Sequence, residues 1–430
     1  MVADELTHSI DANARHSAVK HFDGVVVREH EVLSVPPDPG FKRSPFLDGA
    51  IVRYVPPQAP AAKPARVLIA PAVQRPVERG MADASLIAHI LVRKWEQHTP
   101  LYRQEPGFER FGTPISRANM CRWQWVLGEW AEALVGAMWR EALTRSWIAT
   151  DATGTAVRAS PQYRRGHVFV LVAEGDYVLF RYTEKYDSAT VEKLFGGYKG
   201  AIVADASSCH NVLFGPGKAT EYGCWAHAQR RLVAAFRAGD NPLAAQGLQF
   251  TKKLFRIEAR IKDSSAEQRL AVRQAESAPI VDELFRWVQL SKRGVSNASL
   301  ISKAFTYFAN QSEPLRRFLS NGQVPIHNNS SESALRAMVK GRMNWLFHGS
   351  AEHAGRACAV GSLIGSSKVH DLDPEFYLQE VSTVAPCYPI QRMLDLSPKN
   401  WVATRRRLIE QGSLKYIDLA RVLGSRLVPP

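Results

Sequence analysis

Two short apolar runs in the middle of the chain, Trp147-Ile148-Ala149-Thr150 and Ala201-Ile202-Val203-Ala204, each lead directly into an aspartate, Asp151 and Asp205. Runs of this length and residue type read as buried strands. Between them, residues 167–172 and 177–182 alternate as strands do, and Glu174-Gly175-Asp176 supplies a turn. A short helix is expected over 189–195, a further strand at 222–225 and a helix over 226–236. Strands and helices in this order imply an α/β fold, a mixed sheet packed between helices.

The flanks have different patterns. Ten of the 25 prolines fall between Pro36 and Pro76, so residues 1–80 read as a poorly ordered, turn-rich segment with edge strands at most near 51–55 and 67–69. From 81 to 145 the spacing is helical. Leu86, Ile87, Ile90, Leu91 and Trp95 share a face, a break is expected at Pro106-Gly107, and Ser116 can cap a long helix carrying Trp123, Leu127, Trp130 and Leu134. With Arg103, Arg110, Arg117 and Arg122 this region reads either as a helix-turn-helix on DNA or as an ordinary helical hairpin. Residues 146–227 then form the first part of a catalytic domain, and 228–324 a helical insertion with apolar faces at Leu254, Ile257 and Ile261, at Ile280, Leu284, Phe285 and Val288, and at Leu300, Ile301, Phe305 and Phe308. Residues 325–390 complete the domain, with helices over 353–369 and 374–385, and 391–430 is a basic tail of no assigned structure.

The chain has 55 Lys and Arg against 41 Asp and Glu, a formal charge of +14, which points towards a polyanionic partner. Its five cysteines are scattered and odd in number, as in a reducing cytoplasm and unlike a disulfide framework. The start of the chain lacks the apolar run of a secretory signal, and no membrane span or membrane partner is expected.

Glu332 is the only acid between Glu313 and Glu352, and Arg336, Lys340 and Arg342 follow it at helical or near-helical spacing. Asp151 and Asp205 are 54 residues apart, and Glu332 lies 127 further on. Two aspartates closing neighbouring strands and a glutamate on a helix can hold Mg2+ or Mn2+ for phosphoryl transfer, because such ions take hard oxygen ligands. Each aspartate alone also suits a turn or a helix cap. Arg336, Lys340 and Arg342 are candidate phosphate contacts, and Trp345 and Phe347 can stack either on a base or in a core. Cys224-x-x-His227, with Cys209 and His210, has only one compact pair. Packing of Cys224 and Trp225 in the core, with His227 near the acids, is favoured over a zinc site.

These segments resemble the DDE transposases of the insertion sequence 66 family. The matching stretches are Leu101-Tyr102-Arg103-Gln104-Glu105 with Arg110-Phe111-Gly112, Ala204-Asp205, the run Gly223-Cys224-Trp225-Ala226-His227-Ala228-Gln229-Arg230-Arg231, Asn328-Asn329 through Glu332 to Ala334-Leu335-Arg336, Gly341 to Phe347, and Leu372-Asp373-Pro374 with Tyr377-Leu378. The resemblance implies a ribonuclease-H-like domain with a helical insertion before its last acid, and metal-dependent DNA strand cleavage and transfer. It aligns Asp151, Asp205 and Glu332 with the metal-binding acids. Asn329, Arg230 and Arg231, which lie in its matching stretches, join the candidate DNA contacts, as do Arg117 and Arg122 from the helix-turn-helix reading. It also implies DNA at element ends and target, a homo-oligomer on that DNA, small companion proteins and association with the nucleoid. The chain departs from the family pattern beside each acid: Ala152 follows Asp151, Ala206-Ser207 follow Asp205, His327 precedes the asparagines and Ser333 follows Glu332. The family's cysteine-rich zinc-binding module has no counterpart in residues 1–80, which contain no cysteine. Two alternatives stay open, another nuclease or resolvase on the same fold and a DNA-binding remnant without catalysis.

Overall fold

The computed structural model describes residues 82–159, 162–239 and 241–411, together with 76, 77, 80 and the backbone of four short strands before them. Those strands, β1 (Val19–Phe22), β2 (Val25–Arg28), β3 (Arg53–Val55) and β4 (Leu68–Ile69), pair antiparallel in sequence order. The rest of the proline-rich segment, and the end of the basic tail, lie outside the described residues.

Three helices come next: α1 (Ala84–Trp95), α2 (Leu101–Arg110) and α3 (Arg117–Ala142). The strands β5 (Trp147–Ala159), β6 (Gln162–Ala173) and β7 (Tyr177–Thr183) precede α4 (Ser188–Phe195), and β8 (Ala201–Ala204) and β9 (Thr220–Gly223) precede α5 (Trp225–Arg237). Then follow α6 (Pro242–Arg260), α7 (Ala266–Val272), α8 (Ala278–Lys292), α9 (Leu300–Asn310) and α10 (Ser312–Arg316). The last four are α11 (Asn329–Trp345), α12 (Ala351–Val369), α13 (Pro374–Val384) and α14 (Pro398–Glu410). The chain divides into two compact units, one of residues 1–137, 343–345 and 359–430, the other of 138–342 and 346–358.

In the first unit, the Asp83 carboxylate accepts from the Leu86 N–H at the head of α1, which buries Leu86, Ile87, Ile90, Leu91 and Trp95 as their spacing predicts. The break expected at Pro106 does not occur: α2 runs through it. Only the bond to Tyr102, in the first turn, is lost, and the helix still buries Leu101, Gln104 and Phe108. The tail also proves helical to Glu410. Buried Glu380 of α13 accepts hydrogen bonds from Trp401 Nε1 (2.9 Å) and Arg405 Nε (2.7 Å) of α14.

The second unit is built on a five-stranded mixed sheet in the order β7-β6-β5-β8-β9. The hairpins β5–β6 and β6–β7 are antiparallel, while β8 lies parallel to β5 and β9 parallel to β8. One face buries Ala149, Val168, Val170, Val203 and Tyr222 against Leu335 and Met338 of α11. A separate apolar core joins α5 to the helices after it, through Trp225, Leu232, Leu254, Leu284, Phe285, Val288, Ile301, Phe305 and Phe308. Leu300 was expected on that inner face but is exposed, because it opens α9 just past its Ser299 cap.

One charge sits inside this helical layer. Arg273, in a π-helical turn after α7, is fully buried and grips Glu258 through Nε (2.8 Å) and Nη2 (2.6 Å). Its Nη1 donates to the carbonyls of Phe318 (3.3 Å), Asn321 (2.5 Å) and Val324 (3.0 Å), which tethers the loop leading to α11. Arg273→Met strands the Glu258 carboxylate and those carbonyls, and urea unfolding should show a loss of about 3–5 kcal/mol. Adding Glu258→Met should recover part of that loss. A single variant as stable as the wild type would show that the clamp contributes nothing.

Candidate active site

The sheet register places the two aspartates. Trp147, Ile148 and Ala149 pair in parallel with Ala201, Ile202 and Val203, an offset of 54 residues. Continuing that offset brings Asp151 level with Asp205, on the face that carries Ala149 and Val203, with neighbouring strands about 4.8 Å apart. Asp205 follows the last residue of β8, as expected. Asp151 does not close its strand but is the fifth of 13 residues in β5. The acid marks where the parallel partner stops, while residues 152–159 continue as the β5–β6 hairpin. Glu332 enters from the first turn of α11, one turn ahead of Leu335, which packs on the same sheet face.

A buried hydrogen-bond tie holds these elements together. Asn328, fully buried just before α11, accepts from the Cys224 thiol at the head of α5 (3.0 Å) and donates through Nδ2 to the Thr150 carbonyl (3.3 Å). Its own N–H faces the Cys224 sulfur at 3.5 Å, and its carbonyl accepts from the Glu332 N–H at 3.2 Å. One side chain thus joins the residue before Asp151, the cap of α5 and the helix of Glu332. Burial pushes the Cys224 thiol up in pKa, so it stays protonated and able to donate.

The electrostatics show that the acids share a neighbourhood. Burial pushes Asp151 from its ordinary 3.8 up to about 6; the Ala152 N–H bond to Oδ1 (2.8 Å) opposes this, and the charges of Asp205 and Glu332 both add to it. Burial also acts upward on Asp205, but His210, His227 and the Ser207 backbone N–H together outweigh it and the net direction is down. His210 is buried with Nδ1 3.5 Å from Asp205 Oδ1, long for a hydrogen bond but close enough for charge attraction. His227 Nε2 stands 3.6 Å from Glu332 Oε1, and Arg230 forms an ion pair with Oε2. Burial, then Arg230, lower the pKa of His227.

Among the described residues, no three His, Cys, Asp or Glu side chains stand at metal-holding distances. The donor chemistry nevertheless suits a hard cation, since Asp205 Oδ1 and Glu332 Oε1 are buried oxygens without a hydrogen-bond partner.

The candidate DNA contacts are spread over both units. Arg336 and Lys340 are exposed on α11 at i+4 and i+8 from Glu332. Arg342 turns back to the Gly154 carbonyl, and Asn329 is exposed at the start of α11. Arg230 is half exposed, while Arg231 lies over the Tyr307 ring. Arg117 and Arg122 are exposed on α3 in the other unit. Trp345 packs on Trp95, with ring centroids 4.7 Å apart, and Phe347 on Tyr163 at 4.9 Å. Sequence reasoning did not foresee the roles of Asn328, Thr150 and His210 around the acids, since asparagine, threonine and histidine are common in loops and only their partners distinguish these.

The family model for Transposase IS66 family matches residues 79–356. The chain belongs to that family. Similar proteins of Sinorhizobium fredii are uncharacterized protein y4hP, 27% identical over 77% of this chain and 64% of its own length, and uncharacterized protein y4jD, 27% identical over 78% and 70%. Uncharacterized protein y4qI of the same organism is also 27% identical, over 76% of this chain and 64% of its own length. The chain thus spans less than two thirds of the first of these relatives. The family match includes all three acids and the Asn328 tie. No described helix is long and apolar enough to cross a membrane.

Asp151 yields a stability prediction with a definite sign. Its carboxyl binds a proton more tightly folded than unfolded, so stability falls as pH rises from about 4 through 6 and stays reduced above that. Asp151→Asn keeps the shape without the charge. Thermal or urea unfolding should find it more stable than the wild type by about 1–2 kcal/mol near pH 8, after allowing for solvent screening, and about equal near pH 4. A gain independent of pH would contradict the assignment.

Proposed function

We propose that this chain is a metal-dependent DNA transposase that cleaves and rejoins strands through Asp151, Asp205 and Glu332. The observation that carries the reading is one of backbone geometry: the sheet register, continued past β8, sets Asp151 level with Asp205, and the first turn of α11 brings Glu332 to the same sheet face. Close carboxylates repel and destabilise a fold, so such a cluster is more often functional than structural. The mixed sheet with its helical layer ahead of Glu332 supports a ribonuclease-H-like architecture.

Asp151, Asp205 and Glu332 would hold the ions, with Asp205 Oδ1 and Glu332 Oε1 offering unpartnered oxygens. Bound Mg2+ or Mn2+ would activate the attacking oxygen and neutralise the leaving one. Arg336 and Lys340 continue the Glu332 stripe of α11 and suit phosphates of a duplex crossing the acids. Arg342 is engaged by the Gly154 carbonyl and serves better to position the α11 end against β5. Water would first open a phosphodiester at the element's end, and the freed 3′ hydroxyl would then attack target DNA. The partners in this reading are element ends, target DNA, further copies of the chain and small companion proteins, at the bacterial nucleoid.

The test is incubation of the full chain with element-end DNA and Mg2+. Nicked and joined products are expected, with Asp205→Asn and Glu332→Gln each losing roughly a hundredfold or more in rate. Full activity in either variant sinks the assignment. Hydrolysis without joining would favour a nuclease, and binding without any product a catalytically dead remnant. Arg336→Ala and Lys340→Ala should each weaken DNA binding and reduce its salt dependence by about one unit of slope.

A further inference from the structure

Glu332 carries a cation already. α5 places His227 and Arg230 at i and i+3, both towards Glu332. Arg230 Nη2 pairs with Glu332 Oε2, and its Nη1 lies 3.3 Å from His227 Nε2. The two partners differ in freedom. The Glu332 side chain is 14% exposed and fixed in the first turn of a packed helix, whereas that of Arg230 is 51% exposed. Solvent therefore reaches the arginine end of the pair, which can swing away while the carboxylate stays where it is. The guanidinium fork also matches a phosphate as well as it matches a carboxylate. The field of Asp151 reaches Arg230 as well, so this arginine neutralises more than its direct partner.

We propose that Arg230 is an exchangeable counter-ion, paired with Glu332 until a DNA phosphate takes it over and frees the carboxylate for a divalent ion. The proposal rests on the reading of Asp151, Asp205 and Glu332 as metal ligands. It makes Arg230 a positioning residue and couples the binding of metal to the binding of DNA. Such coupling is reciprocal: DNA tightens metal, and metal tightens DNA. It would also keep the hydrolytic centre unassembled while no substrate is present.

The experiment is a titration of the full chain with Mn2+, following the free ion by electron paramagnetic resonance. Without DNA, Arg230→Gln should bind Mn2+ on the order of tenfold more tightly than the wild type, since a competing positive charge is gone. Arg230→Lys, which keeps the charge, should stay near the wild type. A short DNA duplex should tighten Mn2+ binding in the wild type and change it little in Arg230→Gln. Circular dichroism establishes that each variant is folded. Suppose Arg230→Gln binds Mn2+ no more tightly while Asp205→Asn weakens binding in both backgrounds. The exchange is then overturned and the metal reading stands. Equal tightening by Arg230→Lys would likewise overturn it, by showing that shape and not charge matters. If neither Asp205→Asn nor Glu332→Gln alters Mn2+ binding in either background, the metal reading itself fails and the exchange falls with it.

Discussion

The buried carboxamide of Asn328 is the constraint on which the site depends. It spends its oxygen on the Cys224 thiol and its nitrogen on the Thr150 carbonyl, in a space closed to water. Each partner sits beside an element of the candidate site: Thr150 precedes Asp151, Cys224 begins the helix of His227 and Arg230, and Asn328 itself begins the helix of Glu332. An unpaired buried amide is costly, so the three elements are held in one mutual arrangement. The charges that meet beyond this tie repel one another, and the neutral network behind them keeps them together.

Much of the sheet was legible because its signal is local. Four consecutive apolar residues, 201–204, are all buried in β8, and the turn at Glu174-Gly175 has the positive φ its glycine permits. The helices α5, α6, α8 and α9 follow from apolar spacing, and their faces meet in one core. What was not legible depends on partners far along the chain. Nothing near Asp151 reveals that β5 continues eight residues past it, because that extension is fixed by pairing with β6. Pro106 misled because its cost depends on position within a helix and on what the remaining turns bury.

The same holds for the candidate site. The spacing of Asp151, Asp205 and Glu332 and the flanking motifs pointed to one cluster, and the 54-residue offset between the two aspartates is also the offset of the parallel pairing of β5 with β8. Spacing could not show that Arg230 would pair with Glu332, nor that Arg342 would turn to a strand carbonyl while Arg336 stays exposed. A basic residue looks alike in sequence whether it meets solvent, a carboxylate or a phosphate. Trp345 shows the matching ambiguity among aromatics, since its ring is engaged by Trp95.

The parallel alignment of β5 with β8 carries an evolutionary consequence. Side chains alternate along a strand, so a single-residue deletion or duplication inside β8 would turn Asp205 to the opposite layer while leaving the strand's hydrophobic character intact. Length changes in the crossover segments between those strands carry no such penalty. Drift among relatives should therefore accumulate gaps in the connections and almost none within residues 147–151 or 201–205, a pattern imposed by backbone geometry whatever chemistry the acids perform.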